Sequence, residues 1–239
     1  MVLHIIESGR PLDAVVFYDT GKEFSAVYRM IDRLKEFLPE SCEFIHLSPE
    51  VSFDFQFAKK TVTKRNGSFQ KGYGWCGGSC RWATTEKTKA INRYLLSLQF
   101  DCIQYIGIAA DESDRCKNVP SILYPLVEDG WTEADCLLYC YSHGFRWEEF
   151  TTKTLTNRIC LYDILDRVSC WCCANKNIRE LRHIREFLPQ YWEKLLEMDK
   201  LSPYPFHGFY NGVPITLSYY DARFELDDAQ MSLFDQEVI

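Results

Sequence analysis

Two groups of cysteines carry the most specific chemistry in this chain: Cys76-Gly-Gly-Ser-Cys80, flanked by Trp75 and Trp82, and Cys170-Trp-Cys172-Cys173. Close pairs of soft thiolates on short turns with Gly or Ser nearby are what a four-cysteine zinc site or an iron–sulfur cluster requires. The spacing makes Cys76, Cys80, Cys170 and Cys173 a candidate ligand set that would staple two distant stretches of chain. Cys172 is then a spare thiol, able to substitute as a ligand or to act as a catalytic nucleophile. A thiolate near a metal has a lowered pKa, which favours attack at neutral pH. Spacing does not separate zinc from iron. Among the remaining cysteines, Cys42, Cys102, Cys136, Cys140 and Cys160 read as packed thiols, since free Cys is among the most buried residue types. Cys136 and Cys140 are one helical turn apart, but Leu137 and Leu138 beside them favour core packing. Cys116 fits either class. Trp75, Trp82 and Trp171 read as a shield against water around the cysteines or as ordinary core.

Anion-binding candidates lie in three turns. Arg81, Lys87, Lys89 and Arg115 could grip a phosphate or sulfate, Arg as a bidentate fork and Lys as a point charge. Solvated surface cations would look the same. Asp19, Thr20 and Gly21 form either a ligand-binding strand-end turn or a plain Asp-Thr-Gly turn. Asp111 and Glu112 could hold Mg²⁺ beside a phosphate, or face solvent or pair with Arg115. His4, His46, His143, His183 and His207 form no ligand-spaced pair and read as structural or surface residues.

The elements that must position these residues follow from periodicity. Asp13–Tyr18 is a short apolar run of buried-strand type, Ser25–Phe37 is helical, and Glu43–Leu47 is a second strand. Residues 48–73 alternate aromatic with polar and basic residues and read as a mobile loop. Thr84–Leu98 has helical spacing and Cys102–Ile108 reads as a third strand, so strand and helix alternate as in a parallel α/β sheet. Loops at the carboxyl ends of such strands are where open α/β sheets bind ligands. Thr132 with Asp135 predicts an N-capped helix reaching His143. Asn177 predicts a cap for a helix to Phe187, and Pro189 starts another carrying Trp192, Leu195, Leu196 and Met198. The predicted organisation is an α/β nucleotide-binding-type domain over residues 1–168 and a cysteine-cluster and helical region over 169–239.

Composition sets the bounds. The 239 residues are 46% hydrophobic and 15% aromatic, enough for a buried core. No secretory leader pattern stands at Met1, so eleven cysteines imply reduced thiols and a cytoplasmic protein. No stretch is long enough to span a membrane. A net charge of -7 argues against a broad nucleic-acid surface, while a local basic patch could still receive phosphate. Gln230-Met-Ser-Leu-Phe234 is similar to the short peptide by which bacterial proteins dock on the replication sliding clamp; an amphipathic end covering its own core is the alternative.

Taken in order, Val15-Val-Phe-Tyr-Asp19-Thr20-Gly21, Gly74-Trp-Cys76-Gly-Gly-Ser-Cys80-Arg81-Trp, Ile106-Gly-Ile-Ala-Ala-Asp111-Glu112-Ser-Asp-Arg115, Trp131-Thr-Glu-Ala-Asp and Ser169-Cys-Trp-Cys-Cys173 resemble the phosphoadenosine-phosphosulfate (PAPS) reductase-like family. The match spans most of the chain. The resemblance implies the adenine nucleotide α-hydrolase fold, a Rossmann-like parallel sheet flanked by helices, with an adenine nucleotide or adenylylated sulfur compound at the strand ends. It also implies a [4Fe-4S] cluster on Cys76, Cys80, Cys170 and Cys173 and movement of sulfur into a small molecule or nucleic acid. Asp19, Thr20, Gly21, Arg81, Lys87 and Arg115 then become the nucleotide and phosphate contacts. The family's Ser-Gly-Gly-x-Asp-Ser pyrophosphate loop and its Glu-Cys-Gly-type tail have no counterpart in this sequence. Without that loop nucleotide affinity is expected to fall, and without the tail ordinary PAPS reduction is not expected. The competing expectation is a non-enzymatic, zinc-stabilised binding platform contacting a replication clamp.

Overall fold

The computed structural model describes residues 1–77 and 80–236; the side chains of Ala83 and of residues 231–236 are outside the described set. In chain order the elements are α1 (Val2–Glu7), β1 (Ala14–Tyr18), α2 (Ser25–Lys35), β2 (Glu43–Leu47), β3 (Thr61–Thr63), β4 (Phe69–Lys71), α3 (Lys87–Ser97), β5 (Gln104–Tyr105) and β6 (Ile122–Leu123). There follow α4 (Pro125–Glu128), α5 (Glu133–Ser142), β7 (Glu148–Phe150), β8 (Arg158–Cys160), α6 (Leu161–Ile164), α7 (Ile178–Phe187), α8 (Pro189–Leu201), β9 (Phe209–Tyr210), β10 (Val213–Pro214) and α9 (Leu217–Gln236). Short π-helical turns occupy Phe55–Lys59 and Arg81–Glu86, and a 3₁₀ segment occupies Ala110–Arg115. The chain is thus mixed α/β with small two-stranded sheets. It divides into two compact units, one formed by residues 1–19, 25–48 and 87–147, the other by 20–24, 49–86 and 148–239.

The first unit contains the parallel pairing that the strand–helix–strand pattern predicts. β1 and β2 run parallel in register from Ala14 opposite Glu43 to Tyr18 opposite Leu47, with α2 between them in sequence. β5 and β6 form a second, shorter parallel pair. The strand expected over Cys102–Ile108 is only two residues long. Its ladder bonds stop at Ile106, whose N–H donates to the Leu123 carbonyl at 3.0 Å, and the Ile108 N–H then turns back to the Ile106 carbonyl around Gly107. α5 begins as its sequence predicts: Thr132 accepts from the Asp135 N–H while Asp135 accepts from the Thr132 N–H. These reciprocal bonds satisfy donors that a helix start otherwise leaves orphaned.

The second unit is predominantly helical around an aromatic core. Asn177 and Glu180 form the same reciprocal cap on α7. Leu181, Ile184 and Leu188 lie fully buried from α7 into the turn before α8, and α8 adds Tyr191, Trp192, Leu195 and Met198. Residues 48–73, expected to be a loop, instead carry the first π-helical turn and the antiparallel β3–β4 hairpin. Buried Phe53 and Phe57 stack on each other and anchor that stretch, Phe53 meeting Trp82 and Phe57 meeting Trp75 edge-on. The expected helix from Thr84 is split, because the chain first makes the π-helical turn and only then enters α3.

Gly72 closes this arrangement. Its φ is +72°, and a Cβ there would stand 2.0 Å from the Phe57 carbonyl oxygen and 2.8 Å from the Ala58 Cα. Gly67, in the hairpin turn, has a similar φ of +82° but open space around it. Gly67→Ala should therefore cost only the left-handed backbone strain, about 1 kcal/mol. Gly72→Ala should cost upwards of about 3 kcal/mol, since backbone must move as well. Denaturant midpoints of the two variants check this, and equal losses would contradict the tight packing.

Candidate cysteine centre

All five clustered cysteines fall in the second unit, together with the short Thr20–Phe24 segment. Cys170 begins a tight turn in which the Cys173 N–H donates to the Cys170 carbonyl at 3.1 Å and the Lys176 N–H to the Cys173 carbonyl at 3.3 Å. The turn is tied to the Thr20–Phe24 segment through the Trp171 N–H, which donates to the Lys22 carbonyl at 3.0 Å. Side chains repeat the connection. The Thr20 hydroxyl donates to the Glu23 carboxylate at 2.8 Å and lies 3.4 Å from the Cys170 sulfur, whose thiol also donates to Glu23 at 3.4 Å. Lys22 pairs with Asp54 at 2.7 Å and holds its ammonium over the rings of Phe53 and Trp171, at 5.3 and 5.4 Å from their centroids.

The other pair sits on the Gly74–Arg81 stretch. The Cys76 thiol donates to the Gly74 carbonyl at 3.7 Å, and the Arg81 N–H lies beside its sulfur. Cys80 stands at the head of the π-helical turn, its carbonyl accepting from the Thr84 N–H at 3.0 Å. The two clusters form one electrostatic neighbourhood: Cys80 acts on both Cys76 and Cys172, and Cys170 and Cys173 act on Cys172 in the same sense. This donor set, five thiols within one compact unit, fits a thiophilic metal or an iron–sulfur cluster in its chemistry. Among the described residues no group of three or more His, Cys, Asp or Glu side chains is gathered tightly enough to grip a single ion.

Burial governs the thiols of the polypeptide alone. Desolvation first, then the Glu23 charge, pushes Cys170 up from an ordinary value of 9.0 to about 12. Cys172 is 5% exposed, and desolvation pushes its thiol well up, with Cys170 adding to the shift and Lys22 opposing it. Cys76 is also raised by desolvation. The lowered pKa expected for Cys172 as a nucleophile is therefore not supplied by its protein surroundings. Lys176 is buried among the same groups, its ammonium donating to the Ser169 hydroxyl at 3.2 Å and lying over the Phe24 ring at 5.5 Å. Desolvation lowers its pKa, while the neighbouring Cys173, Glu180, Cys170 and Cys172 act in the opposite sense.

The anion-binding candidates are distributed over both units. Thr20, Gly21 and Arg81 are in the second unit with the cysteines; Asp19, Lys87 and Arg115 are in the first. Asp19 ends β1, accepting from the Tyr28 hydroxyl at 2.8 Å and lying 3.3 Å from His46 Nε2. Arg81 stacks on Tyr73, 4.0 Å from the ring centroid. Lys87 opens α3. Arg115 is ion-paired with Glu112, and Asp111 accepts from the Glu133 N–H at 3.1 Å at the start of α5, so both acids proposed for Mg²⁺ have protein partners. The side chains of Met231–Phe234, which carry the clamp-like peptide, lie outside the described residues.

Three polar neighbours of the cysteines have no counterpart among the sequence-derived candidates: Lys22, Glu23 and Lys176. Their only sequence signal is adjacency, two residues directly after Thr20-Gly21 and one three positions after Cys173. No helix is long and apolar enough to cross a membrane among the described residues. Comparison of the chain with family models, with curated proteins and with solved structures finds no match.

The thiol shifts have a definite sign. A thiol that holds its proton to about 12 when folded but to 9.0 when exposed leaves the folded state with more bound protons between those values. In metal-free protein, stability should be full below pH 9 and fall as the pH rises toward 12. The midpoint of urea unfolding at successive alkaline pH values measures this, and Cys170→Ala should flatten the decline. Iodoacetamide at pH 8 should leave Cys170 and Cys172 unmodified until denaturant is added.

Proposed function

We propose that this chain binds an adenine nucleotide or an adenylylated sulfur compound beside a cysteine-ligated [4Fe-4S] cluster and works in sulfur transfer or reduction, as a PAPS reductase-like protein with the adenine nucleotide α-hydrolase fold. The observation that carries the reading is the meeting of Cys170 with Thr20 and Glu23 in the unit that also holds Cys76, Cys80, Cys172 and Cys173. An Asp-Thr-Gly turn at the end of a parallel strand thereby leads directly into hydrogen bonds with a candidate metal ligand.

In this reading Cys76, Cys80, Cys170 and Cys173 hold the cluster, which supplies electron-transfer or sulfur-handling chemistry when bound. The chain's own groups orient and protect the site. Thr20 and Glu23 fix the Cys170 side chain by hydrogen bonds, and Trp171 with Lys22 covers the turn from water. Among the described residues the Arg81 guanidinium is in no ion pair; it stacks on Tyr73 and could form a bidentate contact with phosphate or sulfate. Arg115 would first have to release Glu112. One observation favours the second reading, a zinc-stabilised binding platform: Cys172 is buried and strongly biased to its protonated form, which suits packing better than attack.

The readings separate on metal content. Protein purified without oxygen should carry about four irons per chain and a broad absorption band at roughly 400 nm, both lost in Cys76→Ser/Cys173→Ser. It should also bind an adenine nucleotide in calorimetry, with Arg81→Ala weakening binding about tenfold. One zinc, no colour and no nucleotide binding would establish the platform instead.

A further inference from the structure

The β3–β4 hairpin and its flanks carry the most polarised charge in the molecule. Between Phe55 and Thr85 stand Lys59, Lys60, Lys64, Arg65, Lys71 and Arg81 with no Asp or Glu, in a chain whose net charge is -7. Among the described residues none of these six is in an ion pair. Acids bound the run at Asp54, which is taken by Lys22, and at Glu86.

The hairpin displays these charges on a rigid frame. Thr61 pairs with Lys71, Val62 with Gln70 and Thr63 with Phe69. Because side chains alternate across a strand, Thr61, Thr63, Phe69 and Lys71 share one face, and all four are exposed. Val62 and Gln70 share the other and are half-buried, Gln70 accepting from the Tyr204 hydroxyl at 2.7 Å and donating to the Gly72 carbonyl at 2.9 Å. The tip is fixed by the Lys64 N–H to Ser68 carbonyl bond at 2.8 Å and by Asn66, which accepts from the Ser68 N–H at 3.1 Å. Arg65 is exposed at that tip, and Lys64, also exposed, holds its ammonium over the Tyr204 ring at 5.9 Å from the centroid, the outer limit of a cation–π contact.

The apolar residue of the outer face is the telling feature. Hairpins normally turn their large apolar side chain inward, yet here valine faces the protein and Phe69 is 72% exposed, between Lys71 and the Lys64-Arg65 tip. A ring face bordered by unpaired cations, with threonine hydroxyls opposite, offers stacking to a base, charge to the adjacent phosphates and hydrogen bonds to sugar or phosphate oxygens. Tyr73, half-buried against Trp82, already holds Lys60 and Arg81 over its ring, at 5.5 and 4.0 Å from the centroid, so Phe69 supplies the open ring face. A lipid surface would call for several large apolar groups at the tip, but the tip sequence is Lys-Arg-Asn-Gly-Ser.

We propose that the outer face of the β3–β4 hairpin, through Lys64, Arg65, Lys71 and Phe69, binds single-stranded nucleic acid. The inference stands on the hairpin alone and goes beyond the cysteine centre, so metal analysis and oligonucleotide binding succeed or fail separately.

The test is fluorescence anisotropy of the full chain with labelled oligo(dT) and oligo(U) of about 20 nucleotides, at salt from about 50 to 200 mM. Binding should weaken with salt, and Lys64→Gln/Arg65→Gln should reduce the slope of log K against log salt by about 1.4, roughly 0.7 for each lost phosphate contact. Phe69→Ala should weaken binding about tenfold with little change in slope, because it removes stacking rather than charge. Tighter binding of one oligonucleotide than the other identifies RNA or DNA as the source. All substituted side chains are exposed, so circular dichroism and the unfolding midpoint should match the parent. Absence of binding, or binding unchanged in both variants, overturns the proposal. So does equal competition by polyglutamate combined with indifference to Phe69→Ala, which would indicate a generic acidic protein partner. Capture by phosphatidylserine vesicles without oligonucleotide binding would overturn it in favour of a membrane surface.

Discussion

The Asp199 carboxylate is the fixed point of the second unit. It accepts from the Trp75 indole N–H at 2.8 Å and from the Leu217 backbone N–H at 2.8 Å, joining the approach to Cys76, the body of α8 and the first turn of α9. Near the end of α8, the Ser202 hydroxyl also accepts from the Trp75 backbone N–H at 3.2 Å, and Gly74 fits only because it has no Cβ to meet Ser202 and Pro203. A buried indole must satisfy its N–H, and a charged acceptor makes the stronger bond. The path of residues 72–77, and with it the position of Cys76, therefore depends on a carboxylate far away in sequence. Asp221 repeats the device one layer on, accepting from the Trp192 indole and the Arg185 guanidinium, each at 2.8 Å.

Around this frame the cysteines are placed where apolar packing and ionisation oppose each other. A thiol in an aromatic core packs well as a neutral group and resists becoming a thiolate. The nearby cations, Lys22 and Lys176, act against that resistance without overcoming it. A positively charged ligand would shift the balance, because metal binding and thiol deprotonation are coupled. The buried ammonium of Lys176, a costly group in an apolar interior, is understandable next to sulfurs that can become anionic.

Local chemistry was readable wherever a few adjacent residues determine the outcome. Thr132 with Asp135, and Asn177 by itself, marked helix starts because a cap is a matter of one to four adjacent residues; Glu180, the other half of the Asn177 capping box, was identified only in the fold. The β1–α2–β2 pattern was readable because its strands are long enough to show an apolar run. The β3–β4 hairpin was not, since strands of three residues are too short to display alternation and their outward positions are Thr, Lys and Phe. Asn66-Gly67 was the signal present, a strong turn pair that the surrounding basic residues obscured. The π-helical turns before α3 and at Phe55–Lys59 escape any search tuned to 3.6 residues per turn. For the candidate site, the cysteines stood out by spacing, whereas Glu23 and Lys176 owe their place to contacts that only folding creates.

The chain changes unit at 19/20, 24/25, 48/49, 86/87 and 147/148, and this itinerary has a bearing on biosynthesis. Thr20 leaves the ribosome early, yet its partner Cys170 follows 150 residues later. At translation rates of 5–20 residues per second, that is a wait of roughly 8–30 s. During it the Thr20–Phe24 segment can meet only Phe53 and Asp54 among its later neighbours, fully buried Phe24 still lacks Tyr191, and the thiols of Cys76 and Cys80 are made before Cys170 exists. Nascent chains would thus depend on chaperones or on prompt metal delivery to keep early thiols from the wrong partners, and circularly permuted variants that bring residues 20–24 next to 169–176 would shorten that exposure.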